Sequence, residues 1–496
     1  MNGFTNGRAP SFGDSNKVKA VAKLLVCILL LTTVTSPAHA HIELPMLGDT
    51  SSSMISPRQE RALGQEWLRL YRSQVPTSSD HQIIDYLEGL VDRLAPHSQL
   101  QDPQLSLVLA ENNTINAFAV PGGVIGIHTG LVRAAQTEHQ IASVIAHELA
   151  HLSQRHYARR LEQQKTMALP FYAALLGSLV LAATTGSEAG MAGLLSTQAA
   201  ALDAQLRFSR QNEQEADRIG MQTLVNAGMD PRGTAEMFEI MQQSARFSRR
   251  PPEFLLTHPI TERRIADARN RTLDLGREPA PDNPEFHLMR ARILVSHAES
   301  PHLAAQRFQS ELDGRNRHPA ANQYGLAVAQ KRAGQIDAAR AALAPLLEEE
   351  PERLTYQLLA ANIDIEAGQY DAALSRLRAL YEQYPDRHAV LMQLAEGLMR
   401  AGQFTASSEL LESYSRQRKD DPNVWFQLAE VSGLAGNILQ VHLARAEYFI
   451  LNGSYNQAIR QLHHGLRQTD SDYRITLIEE RIKQTEEMRR QAEQLM

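Results

Sequence analysis

The sequence is almost without cysteine. Its 496 residues include a single one, Cys27, which lies inside an apolar run near the N-terminus. A mature chain that starts after this run holds no thiol. Disulfide bonds, cysteine metal ligands and cysteine nucleophiles are therefore excluded from it.

Long apolar runs are also scarce. The first, residues 24–31, follows the basic residues Lys17, Lys19 and Lys23. It precedes an A-x-A pattern that ends at Ala40. This arrangement is typical of a secretory signal, so we expect residues 1–40 to be a signal peptide that is cleaved after Ala40. The run is short for a membrane span, although an uncleaved anchor is the alternative.

The second apolar run, residues 167–183, is interrupted by Pro170 and Gly177. Its length is marginal for a membrane span. We prefer a helical hairpin that is buried or lies on the surface of the protein. Peripheral contact with a membrane through residues 167–183 is the membrane role we expect.

An excess of positive charge is missing as well. Lysine and arginine number 50 against 56 acidic residues, a formal net charge of −6. No basic stripe offsets this balance, so we predict no nucleic-acid partner. The length of the chain suggests two or three domains.

Residues 41–275 form the first predicted domain. Helical patterns cover residues 57–94, and strand-like patterns cover residues 104–111 and 116–132, with a Pro-Gly-Gly turn inside the second. A long helical pattern then runs over residues 137–164, with Thr137 as its N-cap. These patterns predict an α+β domain with a small sheet.

Residues 282–485 form the second predicted domain and repeat with a fixed period. Gly334, Gly368, Gly402 and Gly436 are each 34 residues apart, within similar text such as "RAGQIDAA" and "EAGQYDAA". This is the period of the tetratricopeptide repeat, a helix-turn-helix unit whose turn suits glycine. We expect a mainly α chain that ends in a helical solenoid, capped or bent near Gly453, with residues 486–496 as a C-terminal tail.

The stretch "HELAH" lies on the long predicted helix of the first domain. His147 and His151 are four residues apart and project from one helical face, so their imidazoles can bind one Zn²⁺. Glu148 follows the first histidine, where a general base for water is needed. A chance match in a histidine-rich chain is the alternative, and a third ligand would argue against it.

Two segments compete to supply the third ligand. On a continuous helix His156 lies about 140° from His151 and faces away, so we expect it to be solvated or to lie in the layer behind the ligands. Downstream, Glu213 and Asp217 share a helical face, with Glu213 as the ligand and Asp217 as the acceptor for a ligand histidine's other N–H. We expect Glu215 to point elsewhere. A solvated acidic helix is the alternative.

The motifs "HELAH", "EQEAD" and "THPITERRI" resemble those of the gluzincin metallopeptidases. With the signal and the repeats, the chain resembles the periplasmic proteases of Gram-negative bacteria that act in β-barrel assembly. The resemblance implies a zincin-type fold and one Zn²⁺ per chain on His147, His151 and Glu213. It also implies Glu148 as catalytic base and Asp217 as a catalytic proton donor or ligand orienter.

The same resemblance implies what the protein acts on and where. We expect a periplasmic endopeptidase that degrades misassembled outer-membrane proteins and helps their assembly through its repeats. Its partners would be unfolded or stalled β-barrel proteins and the assembly machinery. A non-proteolytic periplasmic chaperone or scaffold with a latched or structural zinc site is the alternative, and an intramembrane protease is a third interpretation.

His258 and Arg264 belong to a further motif of the resembling family. His258 could occupy the open zinc position as an inhibitory latch or stabilise the oxyanion of the reaction. We favour the latch over the oxyanion role, and a loop histidine without function is the third reading. The stretch "NAFAVPGG" could also supply an edge strand with which a substrate pairs.

Overall fold

A computed structural model describes residues 56–163, 210–247, 252–274, 278–314 and 317–495. The predicted signal peptide and residues 167–183 lie outside these ranges. None of the helices within the ranges is long and apolar enough to cross a membrane.

The first half of the chain combines helices with one small sheet. Its helices are α1 Pro57–Gln74, α2 His81–Leu94, α3 Thr129–Ala134, α4 Glu138–Ser153, α5 His156–Gln163, α6 Arg210–Asn226, α7 Arg232–Phe247, α8 Glu253–Thr257 and α9 Glu262–Asp274. The strands are β1 Ser106–Ala110, β2 Ala117–Val120 and β3 Val124–His128.

The three strands form a sheet in the order β1-β3-β2. β1 is parallel to β3, with Ser106 opposite Val124, whereas β2 is antiparallel to β3, with Ala117 opposite Ile127. Every residue of β2 and β3 is buried. Among the described strands, β2 pairs with β3 alone, so it forms the edge of the sheet nearest α4.

The second half is a series of helix pairs. The helices are α10 Pro284–Ser296, α11 Pro301–Asp313, α12 Pro319–Arg332, α13 Ile336–Glu349, α14 Leu354–Glu366, α15 Tyr370–Gln383, α16 His388–Arg400, α17 Phe404–Gln417, α18 Pro422–Leu434, α19 Ile438–Leu451, α20 Tyr455–Leu466 and α21 Asp472–Leu495. The four periodic glycines have φ between 73° and 79° and stand at the turns inside successive pairs. The predicted repeat solenoid is confirmed, and residues 486–495 continue the last helix.

The two halves share a hydrophobic core. One cluster of buried side chains includes Ile145 and Leu149 of α4 together with Phe286 of α10 and Tyr324 of α12. The predicted domain limits at residues 275 and 282 stay a prediction, but apolar packing crosses them.

Polar contacts join the halves at several further points. Arg418, after α17, donates to both oxygens of Glu88 on α2 at 3.0 and 2.9 Å. Arg292 of α10 donates to Asp80 at the start of α2, at 2.7 Å. Tyr455 of α20 donates to Glu66 of α1. Repeat helices from α10 to α20 therefore contact the first two helices of the chain.

Candidate metal centre

Helix α4 carries the first two residues of the centre. It begins as predicted, because the Thr137 hydroxyl accepts a hydrogen bond from the backbone N–H of Gln140. His147 and His151 then fall on one face, and their Nε2 atoms lie 3.0 Å apart. Both side chains are buried. The two imidazoles therefore converge, as the four-residue spacing requires.

Helix α6 brings Glu213 to the same point. The helix packs closely on α4 at Gly220, where an added Cβ would lie 3.1 Å from the backbone nitrogen of His147. This close approach places the Glu213 carboxylate 3.6 Å from His147 Nε2 and 3.6 Å from His151 Nε2. The residue predicted as third ligand thus faces the histidine pair.

His258 closes the cluster from the segment after α8. Its Nδ1 lies 3.2 Å from each oxygen of Glu213 and 3.4 Å from His147 Nε2. One potential ligand atom from each of His147, His151, Glu213 and His258 lies within 4.8 Å of all the others, and all four residues are buried. Over the described ranges, no second group of this kind is found.

Contacts of α8 hold His258 in this position. The Phe254 ring stacks on the His258 ring with centroids 4.7 Å apart. The Phe254 backbone N–H donates to the Ile115 carbonyl at 3.3 Å, just before β2. Asn116 donates to the Glu253 carboxylate at 3.3 Å. The segment that carries His258 is therefore fixed to the entry of the edge strand.

Asp217 and Arg264 support the cluster from outside. Asp217 lies one helical turn after Glu213, and its Oδ1 is 3.0 Å from His147 Nδ1. Arg264 donates to both Asp217 oxygens at 2.7 Å, and its Nη1 is 3.0 Å from Glu213 Oε2. Burial raises the pKa of Asp217, but the Arg264 guanidinium outweighs it and the net pKa is lowered.

Charge in the cluster favours a cation. Burial raises the pKa of Glu213, yet the neighbouring His258 and His147 hold it well below its ordinary value, so the carboxylate is ionised. Burial lowers the pKa of His147, but Asp217 and Glu213 raise it to about 9. Three imidazole nitrogens and an ionised carboxylate in a buried site are a donor set that fits Zn²⁺.

Glu148 lies beside the cluster without joining it. Its side chain is 1% exposed, and Oε1 is 3.5 Å from His258 Nε2. Within the described residues this oxygen has no hydrogen-bond partner. Burial raises the pKa of Glu148, and the neighbouring His258 and His147 oppose the shift. The carboxylate is thus placed and tuned to take up a proton.

The prediction that His156 faces away from His151 is wrong. The predicted helix over 137–164 breaks after Ser153, because Arg155 adopts a left-handed conformation with φ 47°. The break turns His156 back toward the cluster, where its Nδ1 is 2.8 Å from His151 Nδ1. Glu215, expected to point elsewhere, lies 3.2 Å from His156 Nε2. Neither residue belongs to the potential ligand set.

Comparison with known proteins places the chain among proteases. Residues 84–272 match Peptidase family M48, and residues 364–430 match a tetratricopeptide repeat family. The Beta-barrel assembly-enhancing protease of Escherichia coli (strain K12) is 37% identical over 350 residues, which cover 70% of this chain and 72% of that protein. The chain belongs to the β-barrel assembly-enhancing protease family. The Yersinia pestis protein of the same name is 34% identical over 352 residues, with the same shares of both chains.

Membership of the β-barrel assembly-enhancing protease family makes the chain a metalloprotease, as its motifs predicted. A more distant relative, the Mitochondrial metalloendopeptidase OMA1 of Saccharomyces cerevisiae, is 37% identical over 156 residues, 30% of this chain and 41% of that protein. The family implies a bound metal, and the buried cluster has the chemistry to hold one.

The sequence predicts each residue of the cluster but not the side chains that contact the cluster from outside. The contacts of His156 with His151 and Glu215 could not be predicted, because the sequence does not indicate that Arg155 adopts a left-handed conformation. Arg264 was singled out together with His258, whereas the structure brings it to Asp217 and Glu213.

Proposed function

We propose that the chain is a periplasmic zinc endopeptidase that removes misassembled outer-membrane proteins and assists their assembly. The observation that carries the proposal is the buried convergence of His147, His151, Glu213 and His258, with the Glu148 carboxylate alongside. A structural zinc site has no use for a carboxylate with an unpaired oxygen beside its ligands.

His147, His151 and Glu213 would hold one Zn²⁺ per chain. When bound, the ion supplies a Lewis acid that polarises the scissile carbonyl and makes water more acidic. Asp217 fixes the tautomer of His147 by accepting the proton at Nδ1. The lone pair of Nε2 is then available to bind the metal. Arg264 keeps the Asp217 and Glu213 carboxylates in place.

Glu148 would move the proton during the reaction. Its carboxylate takes a proton from the attacking water and then gives it to the leaving amine. Burial raises the pKa of Glu148, and a carboxylate with a raised pKa takes a proton from water more readily.

β2 is the strand proposed to align the substrate. It is the edge strand beside α4, and an extended peptide that pairs with its free side would lie next to Glu148. Backbone pairing tolerates many side chains, which suits a protease that meets unfolded chains. Glu253 and Phe254 of α8 contact Asn116 and Ile115, immediately before this strand.

His258 is proposed as a latch on the metal. Its Nδ1 lies among the other ligand atoms, where a catalytic zinc keeps its open position. Movement of α8 away from Ile115 and Asn116 would clear both this position and the edge strand. The rival role, stabilisation of the oxyanion, requires His258 to stand back from the ligand atoms.

The clients and location rest on the relatives. Their names describe proteases that enhance β-barrel assembly. The predicted signal peptide would direct this chain to the periplasm. Unfolded or stalled outer-membrane β-barrel proteins are the proposed substrates. The repeat helices are the proposed contact with the assembly machinery.

A non-proteolytic chaperone or scaffold is the second candidate. The observation in its favour is the position of His258, because a permanently latched zinc would leave the repeats as the active part of the molecule.

Substitution of Glu148 by glutamine separates the two candidates. The Glu148→Gln protein should bind one zinc per chain and unfold at the wild-type temperature, yet lose cleavage of casein, because only the base is removed. Metal content, thermal unfolding and casein hydrolysis are measured side by side on the mature proteins. Equal cleavage by wild type and variant would overturn the catalytic assignment, and absence of zinc from both would overturn the metal site.

A further inference from the structure

His156 contacts a histidine of the proposed zinc site on the side away from the metal. His151 Nε2 points into the cluster, 3.0 Å from His147 Nε2, so its Nδ1 points outward. His156 Nδ1 lies 2.8 Å from that outward atom, with the two ring planes inclined at 74°. The His156 side chain is 0% exposed.

The tautomers of the two rings follow from this contact. Because His151 Nε2 must present a lone pair to a metal, its proton resides on Nδ1 and is donated to His156 Nδ1. His156 then carries its own proton on Nε2, which faces Glu215 Oε2 at 3.2 Å. Arg159 Nη1 in turn lies 3.2 Å from the same carboxylate oxygen.

We propose that His156 is a positioning residue of the metal centre, which accepts the Nδ1 proton of His151 and is itself oriented by Glu215. The proposal rests on the zinc site put forward above and adds residues that neither the motif nor the ligand set contains. Without His156, the outward N–H of His151 loses the acceptor that lies 2.8 Å from it, and the competing tautomer, which places a proton on the metal-binding nitrogen, becomes more favourable.

A parallel with His147 supports this role. His147 is held by Asp217, and Asp217 by Arg264. On the other ligand, His156 and Glu215 take the place of Asp217, and Arg159 takes that of Arg264. Each histidine of the motif therefore has an acceptor at Nδ1 whose own position is fixed by charge, as the ligand histidines of metal sites require.

The local backbone is shaped for this contact. The chain passes from α4 to α5 through Gln154 and through Arg155 in its left-handed conformation. Arg155 is held by Glu60 of α1 at 2.9 Å. On an uninterrupted helix His156 would face away from His151, so the break is what delivers the acceptor.

Two substitutions of similar size test the acceptor. His156→Asn keeps an oxygen close to the place of Nδ1, whereas His156→Leu fills the space without an acceptor. We expect the leucine variant to raise the zinc dissociation constant about 10- to 100-fold, the usual effect of losing such a partner. The asparagine variant should stay within about threefold of wild type, since its side-chain oxygen can still accept the proton.

The dissociation constant is measured by competition of the metal-free protein with a chromophoric chelator for Zn²⁺. Thermal unfolding of the metal-free proteins reports the fold separately. His388→Leu serves as a matched control, because it makes the same change at a buried histidine of α16 that lies outside the metal cluster, and should leave zinc affinity close to wild type.

The outcomes separate this proposal from the zinc site on which it rests. Weak zinc binding by the leucine variant alone, with unfolding of the metal-free protein unchanged, supports the positioning role. Equal affinity of the leucine variant and wild type overturns it and leaves the zinc site standing. An equal loss in both His156 variants also overturns it, since a merely structural role would then suffice. Failure of wild type to bind zinc overturns the zinc site itself.

Discussion

At the scale of single residues, the role of His258 can be decided by removing its side chain. His258→Ala should keep zinc, because His147, His151 and Glu213 remain, and should cleave casein as fast as wild type or faster. A latch that is lost frees the open position of the metal. Hydrolysis rates and self-cleavage over time are the measurements.

The opposite result for His258→Ala has a definite meaning. A fall in turnover of about a hundredfold or more at full zinc occupancy would identify His258 as an oxyanion donor and contradict the latch. Phe254→Ala is a companion variant, because it removes the ring stacked on His258 without touching the ligand atoms. A latch predicts that it too raises activity.

Asp217 is expected to act through His147 rather than on the substrate. Asp217→Asn weakens the contact with His147 Nδ1. It also removes one of the two carboxylate oxygens to which Arg264 donates. We expect the zinc dissociation constant to rise about tenfold or more and casein cleavage at saturating zinc to fall. Asp230→Asn, which breaks an unrelated pair with Arg232, is the control and should leave zinc affinity unchanged.

At the scale of helices, the centre depends on how closely α6 lies against α4. Gly220→Ala adds a methyl group 3.1 Å from the His147 backbone nitrogen, so one helix must shift. We expect a loss of about 1–3 kcal/mol in unfolding free energy, the usual cost of overpacking, together with weaker zinc binding as Glu213 moves outward. Chemical denaturation and zinc competition measure the two effects.

A second helical glycine provides the comparison. Gly89 of α2 has no atom within 4 Å of where a Cβ would lie. Gly89→Ala should therefore be neutral or stabilise the protein by up to about 1 kcal/mol, through helix propensity alone. If both substitutions had the same effect, close packing at Gly220 would not be what positions α6.

The helices also show what a sequence can and cannot predict. The repeat helices and the face shared by His147 and His151 follow from period and spacing, which are local properties. The break at Arg155 does not, because it is stabilised by contacts with a distant helix, including Glu60. For the same reason the sequence suggests Glu213 as a partner of HELAH but gives no sign that His156 reaches His151.

At the scale of the whole molecule, the pair formed by Arg418 and Glu88 links the repeats to α2. Arg418→Glu places like charges together, since Asp421 and Glu88 both lie within 3.4 Å of the guanidinium. We expect the melting temperature to fall by about 1 °C, equivalent to roughly 1 kcal/mol for a chain of this size. The reciprocal Glu88→Arg variant should behave similarly.

The double exchange is the decisive variant for this contact. Arg418→Glu combined with Glu88→Arg restores opposite charges and should recover most of the lost melting temperature. Additive losses in the double variant would show that the two side chains do not interact in solution. Differential scanning calorimetry of the three variants gives the comparison.

The bond between Tyr455 and Glu66 joins positions 389 residues apart. During synthesis Glu66 leaves the ribosome long before Tyr455 exists, so Glu66 acquires this partner only 389 residues later. Contacts of such long range are slow to form, because the intervening chain must first be brought together. The contacts of the protease half are therefore complete only after α20 has been synthesised. A product cut short before α20 would keep every residue of the metal centre and still lack the tyrosine hydroxyl that bonds to α1.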